Sequence, residues 1–312
     1  MPGLTRREVI ALTAPFIAAA QQADSVFEPH VHLFAADLTK YPKHPNGPAL
    51  TPAPLETYIP LAKQLGIRHA IHVSAEPYQD DTSYLEYTLT HAPAGFLKGI
   101  VLLDTVKADT PQRLEALARK YPKQLLGFRI HCVRSPGEPP TAAGTTIRNR
   151  DLFHPQAKLA WKKAADLGLW VQPHIMPWFA PDIAKLAREY SGAHVIIDHF
   201  GHAGVNGQAS YGYRDPRDFA QVAALAKVPN IVMKVSGLRY SSREEFPHKD
   251  LQPLLRQAFD AFGPDRLIWG SFGTKPESFA SCEAIWKEHF GFVSAADRRK
   301  IRYENGRRLF GF

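Results

Sequence analysis

The sequence predicts an α/β fold of the (β/α)8 barrel type, organised as a single domain over residues 24–312. Eight short runs alternate with helical stretches, and most of these runs are continuously apolar and rich in Val and Ile, which is typical of strands buried on both faces. A doubly wound sheet is the rival architecture, but the chain carries no Gly-rich nucleotide loop, and this favours the barrel. The predicted strands are Val26–His32, Ile67–Val73, Leu97–Leu103, Leu126–His131, Leu169–His174, His194–His199, Asn230–Val235 and Arg266–Gly270.

The segments between these runs show the periodicity of amphipathic helices. Leu114, Leu117, Ala118 and Tyr121 occupy positions i, i+3, i+4 and i+7, which place them on one face of a helix. Pro111 lies just before that stripe, where proline is tolerated in the first turn. The pattern therefore predicts an amphipathic helix packed against the sheet.

The first 23 residues have the pattern of an export signal. The adjacent Arg6 and Arg7 precede the apolar, alanine-rich run Val9–Ala20. A basic start, a short apolar stretch and small residues at its end are typical of a cleaved leader, and paired arginines indicate the twin-arginine type. We therefore expect residues 1–23 to lie outside the barrel and the protein to be exported, into the periplasm of a bacterium.

Composition excludes several classes of function. The chain has 312 residues, 45% of them hydrophobic, and a formal net charge of +8. The positive charges are scattered, without a Lys/Arg-rich run, so we expect no nucleic-acid partner, and no other segment is long and apolar enough to span a membrane. A basic rim that attracts a small anionic substrate fits better. Cys132 and Cys282 lack metal-type spacing and are expected to be unbridged, buried thiols.

The first predicted strand carries a candidate metal site. Glu28, His30 and His32 are two residues apart and so share one face of a strand. One carboxylate and two imidazoles are typical ligands of a first-row metal, with zinc or manganese favoured.

Ionisable residues recur at the predicted carboxyl ends of the other strands, where barrel enzymes place their chemistry. Long connections follow strands four, six and seven. They carry the arginines Arg134, Arg148, Arg150, Arg214, Arg217, Arg239 and Arg243. Together with Arg129 and Lys234, these arginines indicate recognition of a carboxylate or similar anion. The strand-end residues are His30, His32, His72, Asp104, Arg129, His131, His174, Asp198, His199, Lys234, Ser271 and Phe272.

Several of these motifs, taken in order, resemble the amidohydrolase-related family (amidohydrolase 2), and most closely its lactonase branch. The resemblance runs from about Val26 to the C-terminal segment that ends at Gly311. The matching motifs are Glu28-Pro-His30-Val-His32, Gly127-Phe-Arg129-Ile-His131, Gln172-Pro-His174, Ile197-Asp198-His199-Phe-Gly201, Lys234-Val-Ser236-Gly237 and Gly263-Pro-Asp265-Arg266-Leu-Ile-Trp-Gly270-Ser271.

The resemblance implies a role for most of the strand-end residues. His30, His32 and His174 would be metal ligands or substrate contacts, with Glu28 as a further ligand. Arg129 would hold a substrate carboxylate or carbonyl, with His131 and Lys234 also placed among the substrate-binding residues. His199 would polarise a carbonyl or steady the attacking water. The family includes lactonases that work without a metal, so a metal-free site stays open.

The chain departs from the family pattern after strand eight. The family has Gly-Ser-Asp there, whereas this chain reads Gly270-Ser271-Phe272. Phe272 therefore takes the position of the catalytic aspartate, and its side chain has no atom that accepts a proton. We expect Glu28 to restore one negative charge at a metal.

Three functions stay open at this point. The first is a hydrolase of a small carboxylated lactone, or a related ester or amide, with His199 or Asp198 as the base that serves the attacking water. The second is a lyase such as a decarboxylase, because relatives of the family catalyse that reaction. The third is an exported binding protein that has lost catalysis.

Overall fold

The computed structural model describes residues 25–203, 219–242, 244–271 and 273–312, with the side chains of 239 and 240 excepted. The export leader, Arg214, Arg217, Arg243 and Phe272 lie outside the described residues, as does the side chain of Arg239. The predictions made for these residues therefore stay predictions.

Eight parallel strands, each paired with the next in chain order, form a (β/α)8 barrel with alternating helices. This confirms the predicted fold and all eight strands, with boundaries that shift by no more than two residues. The strands are β1 (Val26–Val31), β2 (Ile67–Val73), β3 (Leu97–Leu102), β4 (Leu125–Cys132), β5 (Trp170–Ile175), β6 (His194–Ile197), β7 (Ile231–Val235) and β8 (Leu267–Trp269).

The helices surround the strands. Helix α3 starts at Thr110 with Pro111 in its first turn and buries Leu114 and Leu117, as the periodicity predicts. The helices are α1 (Leu55–Gln64), α2 (Ser83–His91), α3 (Thr110–Lys120), α4 (Pro155–Asp166), α5 (Ala180–Glu189), α6 (Phe219–Ala223), α7 (Gln252–Phe262), α8 (Pro276–His289), α9 (Ala295–Arg299) and α10 (Asn305–Leu309). No helix in the described ranges is long and apolar enough to cross a bilayer.

The strands separate two apolar layers. In β6, Ile196 belongs to the cluster inside the barrel, while Val195 and Ile197 pack outward against the helices. The alternation follows from the two-residue period of a strand. Phe310, from the C-terminal segment, enters the inner cluster and stacks on Phe27 at a ring distance of 5.6 Å. The N-terminal end of the barrel is therefore closed by aromatic side chains.

Barrel closure places Glu28 between the first and last strands. The backbone N–H of Ser271 donates to Glu28 Oε2 at 2.9 Å, and the Ser271 hydroxyl donates to the same oxygen. Glu28 Oε1 accepts from the backbone N–H of His30 at 3.1 Å. Both carboxylate oxygens are thus bonded at the seam between β1 and β8.

The two cysteines lie in the described part of the chain and are not bonded to each other. Cys132 is buried at the end of β4, as expected, and burial raises the pKa of its thiol to about 12. Cys282 is only partly buried, because it lies on α8, outside the barrel wall, where its thiol donates to the carbonyl of Ser271 at 3.0 Å.

Candidate active site

The carboxyl ends of the strands converge on a polar mouth whose centre is Asp198. This fully buried side chain follows β6 and accepts from Arg129 Nε at 2.9 Å and from Gln172 Nε2 at 3.0 Å through Oδ2. Its other oxygen lies 3.2 Å from Lys234 Nζ and 3.2 Å from His30 Nδ1. Burial would raise the pKa of Asp198, but the charges of Lys234 and Arg129 and the contact with His30 hold it well below its usual range. Asp198 is therefore an ionised anchor for two buried cations.

Lys234 is held from three sides. Its ammonium donates to Gln172 Oε1 at 2.7 Å and lies 3.2 Å from both Asp198 Oδ1 and His30 Nδ1. Three acceptors match the three protons of an ammonium. Burial lowers the pKa of Lys234 to about 8, against the opposing charge of Asp198. The side chain is fully buried, which favours a positioning role for Lys234.

His30 and His32 form an imidazole pair. Their Nε2 atoms are 3.1 Å apart, and His32 Nδ1 lies 2.7 Å from the carbonyl of Val73. A carbonyl only accepts, so His32 carries its proton on Nδ1 and presents a lone pair at Nε2. His30 Nδ1 lies 3.2 Å from both Asp198 Oδ1 and Lys234 Nζ, so its tautomer sets whether it donates to the carboxylate or accepts from the ammonium.

A second group of histidines adjoins the first. His174 Nε2 lies 2.6 Å from His202 Nε2, and His174 Nδ1 lies 3.4 Å from His131 Nε2. The ring of His199 lies 4.4 Å from that of His30 and 5.7 Å from that of His174, so it joins the two groups. The mouth is thus lined by six imidazoles from β1, β4, β5 and the segment after β6.

Burial keeps these imidazoles neutral. It is the main cause that lowers the pKa of His30, His174 and His199 well below the usual value. Burial also lowers the pKa of His32 to about 3 and that of His202 to about 4. Neutral imidazoles can bind a metal or accept a proton, whereas imidazolium ions can do neither.

The segment after β6 has an unusual backbone. His199, Phe200 and His202 have φ values of 45°, 61° and 52°, which are costly for residues with a Cβ. Such strain persists where surrounding contacts enforce it, and it clusters at functional sites. Here the short turn His199–His202 directs two imidazoles into one mouth, and His199 Nδ1 lies 3.1 Å from Ser236 Oγ.

The structure groups the candidate metal ligands differently from the sequence-based expectation. Among the described residues, one group of three such side chains has its ligand atoms within 4.8 Å of one another: His30, Asp198 and His199. His32 Nε2 lies 3.1 Å from His30 Nε2 in the same mouth, which His174 also lines, and Glu28 is hydrogen-bonded at the barrel seam. The predicted set of four shares only His30 with this group.

Two other strand-end residues have structural partners. His72 Nδ1 lies 2.8 Å from Oγ1 of Thr88 on helix α2. Asp104 forms a buried ion pair with Arg150, at 3.0 Å, which fixes the long segment after β4.

Sequence reasoning missed two members of the site, His202 and Glu76. His202 comes three residues after His199, and its place on the long connection after strand six was the signal that could have assigned it to the site. Glu76 lies three residues past β2, and its Oε1 is 2.8 Å from His131 Nδ1.

Comparisons with known proteins agree with this architecture. The profile of the Amidohydrolase family (Amidohydro_2) matches residues 27–312. An L-fucono-1,5-lactonase of Burkholderia ambifaria is 29% identical over 68% of this chain and 67% of its own. A 4-sulfomuconolactone hydrolase of Hydrogenophaga intermedia is 26% identical over 91% of this chain and 88% of its own.

Solved structures share the fold at lower identity. One described as a probable 2-pyrone-4,6-dicarboxylic acid hydrolase of Acinetobacter baumannii, with citric acid bound, has a TM-score of 0.71 at 19% identity, over 92% of this chain and all of its own. A zinc-bound amidohydrolase of Burkholderia multivorans has a TM-score of 0.69 at 18% identity, over 92% and 99%. A 2,6-dihydroxybenzoate decarboxylase of Rhizobium has a TM-score of 0.57 at 15% identity, over 92% and 99%. By the family match along nearly its whole length, the chain belongs to the Amidohydrolase family.

Proposed function

We propose that this protein is a hydrolase that opens a small lactone carrying an anionic group, by attack of water on the lactone carbonyl. The observation that carries the proposal is the group of neutral imidazoles that line the mouth beside the network of Asp198, Arg129 and Lys234. Bases and positive charges in a buried mouth match the demands of acyl hydrolysis, which needs a proton acceptor for water and stabilisation of an oxyanion. Lactone hydrolases among the relatives support the same reaction class.

His199 is the residue we assign to the attacking water. Its ring lies between the two histidine groups, and it stays neutral because burial lowers its pKa. A neutral imidazole takes up a proton as the water oxygen attacks. Asp198 was the other candidate base, but its contacts with Arg129 and Lys234 favour a role as an anchor.

Arg129 and Lys234 supply positive charge beside the reacting carbonyl. Both are buried and held by Asp198, so they need little reorganisation when an oxyanion develops. This modifies the sequence-based assignment, in which both residues bind substrate directly.

A divalent zinc or manganese ion would replace His199 as the activator of the water, because an imidazole nitrogen that binds a metal cannot also accept a proton. The ligand atoms of His30, Asp198 and His199 would hold it, because two neutral imidazoles and a carboxylate suit such ions. A bound ion would polarise the carbonyl and lower the pKa of a water molecule towards about 7. Asp198 would then serve both the ion and the ammonium of Lys234, which it already contacts.

The test is hydrolysis of a lactone panel by the full chain. The panel contains a neutral sugar-acid lactone, 2-pyrone-4,6-dicarboxylate and a muconolactone. Opening of each lactone ring is monitored by absorbance spectroscopy. Elemental mass spectrometry of the same preparation, before and after dialysis against a chelator, measures zinc and manganese. We expect hydrolysis of at least one carboxylated lactone. Release of carbon dioxide without ring opening would instead identify a decarboxylase, and binding without turnover would identify a binding protein.

We also propose that residues 1–23 direct export to a bacterial periplasm. The support is the paired Arg6 and Arg7 before an apolar run. N-terminal sequencing of the protein recovered from a periplasmic fraction tests this proposal. Deletion of the leader should leave a folded protein, whereas loss of folding on deletion would contradict it.

A further inference from the structure

Glu76 places a carboxylate in the mouth of the barrel. It begins the short turn Glu76–Tyr78 that follows β2. Its Oε1 lies 2.8 Å from His131 Nδ1, and the Glu76 side chain is 23% exposed, whereas that of His131 is 2% exposed. The carboxylate thus lies where the buried site meets solvent.

A single buried amide links this turn to the segment after β4. Gln79 Nε2 donates to the carbonyl of Glu76 at 2.5 Å, and Gln79 Oε1 accepts from the backbone N–H of Ile147 at 2.6 Å. Three residues further on, the backbone N–H of Arg150 donates to the carbonyl of His131 at 3.1 Å. Arg148 lies between these two fixed points, and its positive charge acts on the Glu76 carboxylate.

The charges at this position favour an anion. Burial raises the pKa of Glu76, but the 2.8 Å contact with His131 and the positive charges of Arg148 and Arg129 together lower it to about 2. The same groups would stabilise any carboxylate placed there. Glu76 therefore occupies a position whose neighbours stabilise a carboxylate.

The inner cations are less suited to this task. Arg129 and Lys234 both contact Asp198, whose negative charge offsets them within the buried network. Arg148 is half-buried, whereas Arg129 and Lys234 are buried.

We propose that Glu76 occupies a carboxylate subsite of the substrate pocket, and that an anionic group of the substrate displaces it to contact His131 and Arg148. The identity of that substrate as a carboxylated lactone rests on the proposed function. The partly exposed side chain leaves Glu76 room to turn towards solvent. Glu76 then competes with anionic ligands and has little effect on neutral ones.

The experiment measures citrate affinity by calorimetry, which needs no turnover, together with hydrolysis of a neutral and a carboxylated lactone. The variants are Glu76→Gln, Glu76→Ala and Arg148→Gln. Glu288→Gln, on the exposed face of α8, is the matched control, and thermal denaturation confirms that each variant folds.

We expect citrate to bind about tenfold more tightly to both Glu76 variants, because a like charge has been removed from the subsite. It should bind more weakly to Arg148→Gln and equally to Glu288→Gln. KM for the carboxylated lactone should fall in Glu76→Gln, with KM for the neutral lactone unchanged.

Unchanged or weaker citrate binding in both Glu76 variants would overturn the subsite. Equal losses of hydrolysis for neutral and carboxylated lactones would also overturn it, because they would show that Glu76 only orients His131. If citrate binding tightens but the wild type opens no lactone, the proposed function fails and the subsite stands.

Discussion

The two ends of the barrel differ in almost every physical property. At the N-terminal end, Phe27, Trp170 and Phe310 stack into an apolar plug, with a ring distance of 4.7 Å between Trp170 and Phe310. At the C-terminal end, imidazoles and charged groups surround Asp198. Barrel enzymes place stability at the first end and chemistry at the second. Substitutions at the plug should therefore change stability alone, whereas substitutions at the mouth should change both stability and catalysis.

The largest effect on stability is expected from Asp198→Asn. This substitution leaves Arg129 and Lys234 buried without their counter-charge, and breaking a buried ion pair in this way costs about 3–5 kcal/mol. Denaturant unfolding measures the free energy. Asp166→Asn, which removes a solvent-exposed pair with Lys162, is the control and should cost less than about 1 kcal/mol. Equal small losses in both variants would show that Asp198 is not an anchor.

Phe310→Ala tests the opposite end. It removes a ring that is 2% exposed and packs on Phe27 and Trp170, so we expect a loss of about 3 kcal/mol in unfolding free energy. Hydrolysis per folded molecule should not change. Phe246→Ala, at a position that is 58% exposed, should leave stability unaltered. A folded Phe310→Ala protein without activity would contradict the separation of the two ends.

Glu28→Gln tests the seam where the barrel closes. The amide replaces one of two oxygens that accept from Ser271 and from the backbone of His30, so the cost should be about 1–3 kcal/mol. The sequence alone predicts a sharp loss of bound metal in this variant. The structure predicts unchanged metal content, because the candidate ligand group is His30, Asp198 and His199. Elemental mass spectrometry decides between these two outcomes.

The histidines of the mouth should also make the fold sensitive to acid. His32 and His202 have folded pKa values lowered to about 3 and about 4, against 6.5 for the ordinary side chain. Between these limits the unfolded chain binds more protons than the folded one, so stability falls as pH falls below 6.5. Each such group contributes a slope of about 1.4 kcal/mol per pH unit. His202→Gln should reduce the slope measured by unfolding between pH 6.5 and 4.5, and an unchanged slope would contradict burial of a neutral His202.

The fold and much of the site could be predicted from the sequence because the predicted strands also locate the residues at their carboxyl ends. Continuous apolar runs fix the strands, and the residues that end them must share the mouth of a parallel barrel, as Asp198 and Lys234 do. The contacts within that mouth could not be predicted. Spacing places Glu28 near His30 but cannot show that its carboxylate turns to Ser271. Glu76 and His202 lie beyond the strands, where only the loops decide what they meet.

The most direct test of the central claim compares a histidine at each end of the barrel. The measurement is kcat/KM for a carboxylated lactone with the wild type, His199→Gln and His69→Gln. His199 lies at the mouth, whereas His69 packs beside Phe312 at the plug, with a ring distance of 4.7 Å. Loss of a general base costs about 100-fold or more, so His199→Gln should lose at least that while His69→Gln keeps the wild-type value. Full activity in a folded His199→Gln protein would contradict the account.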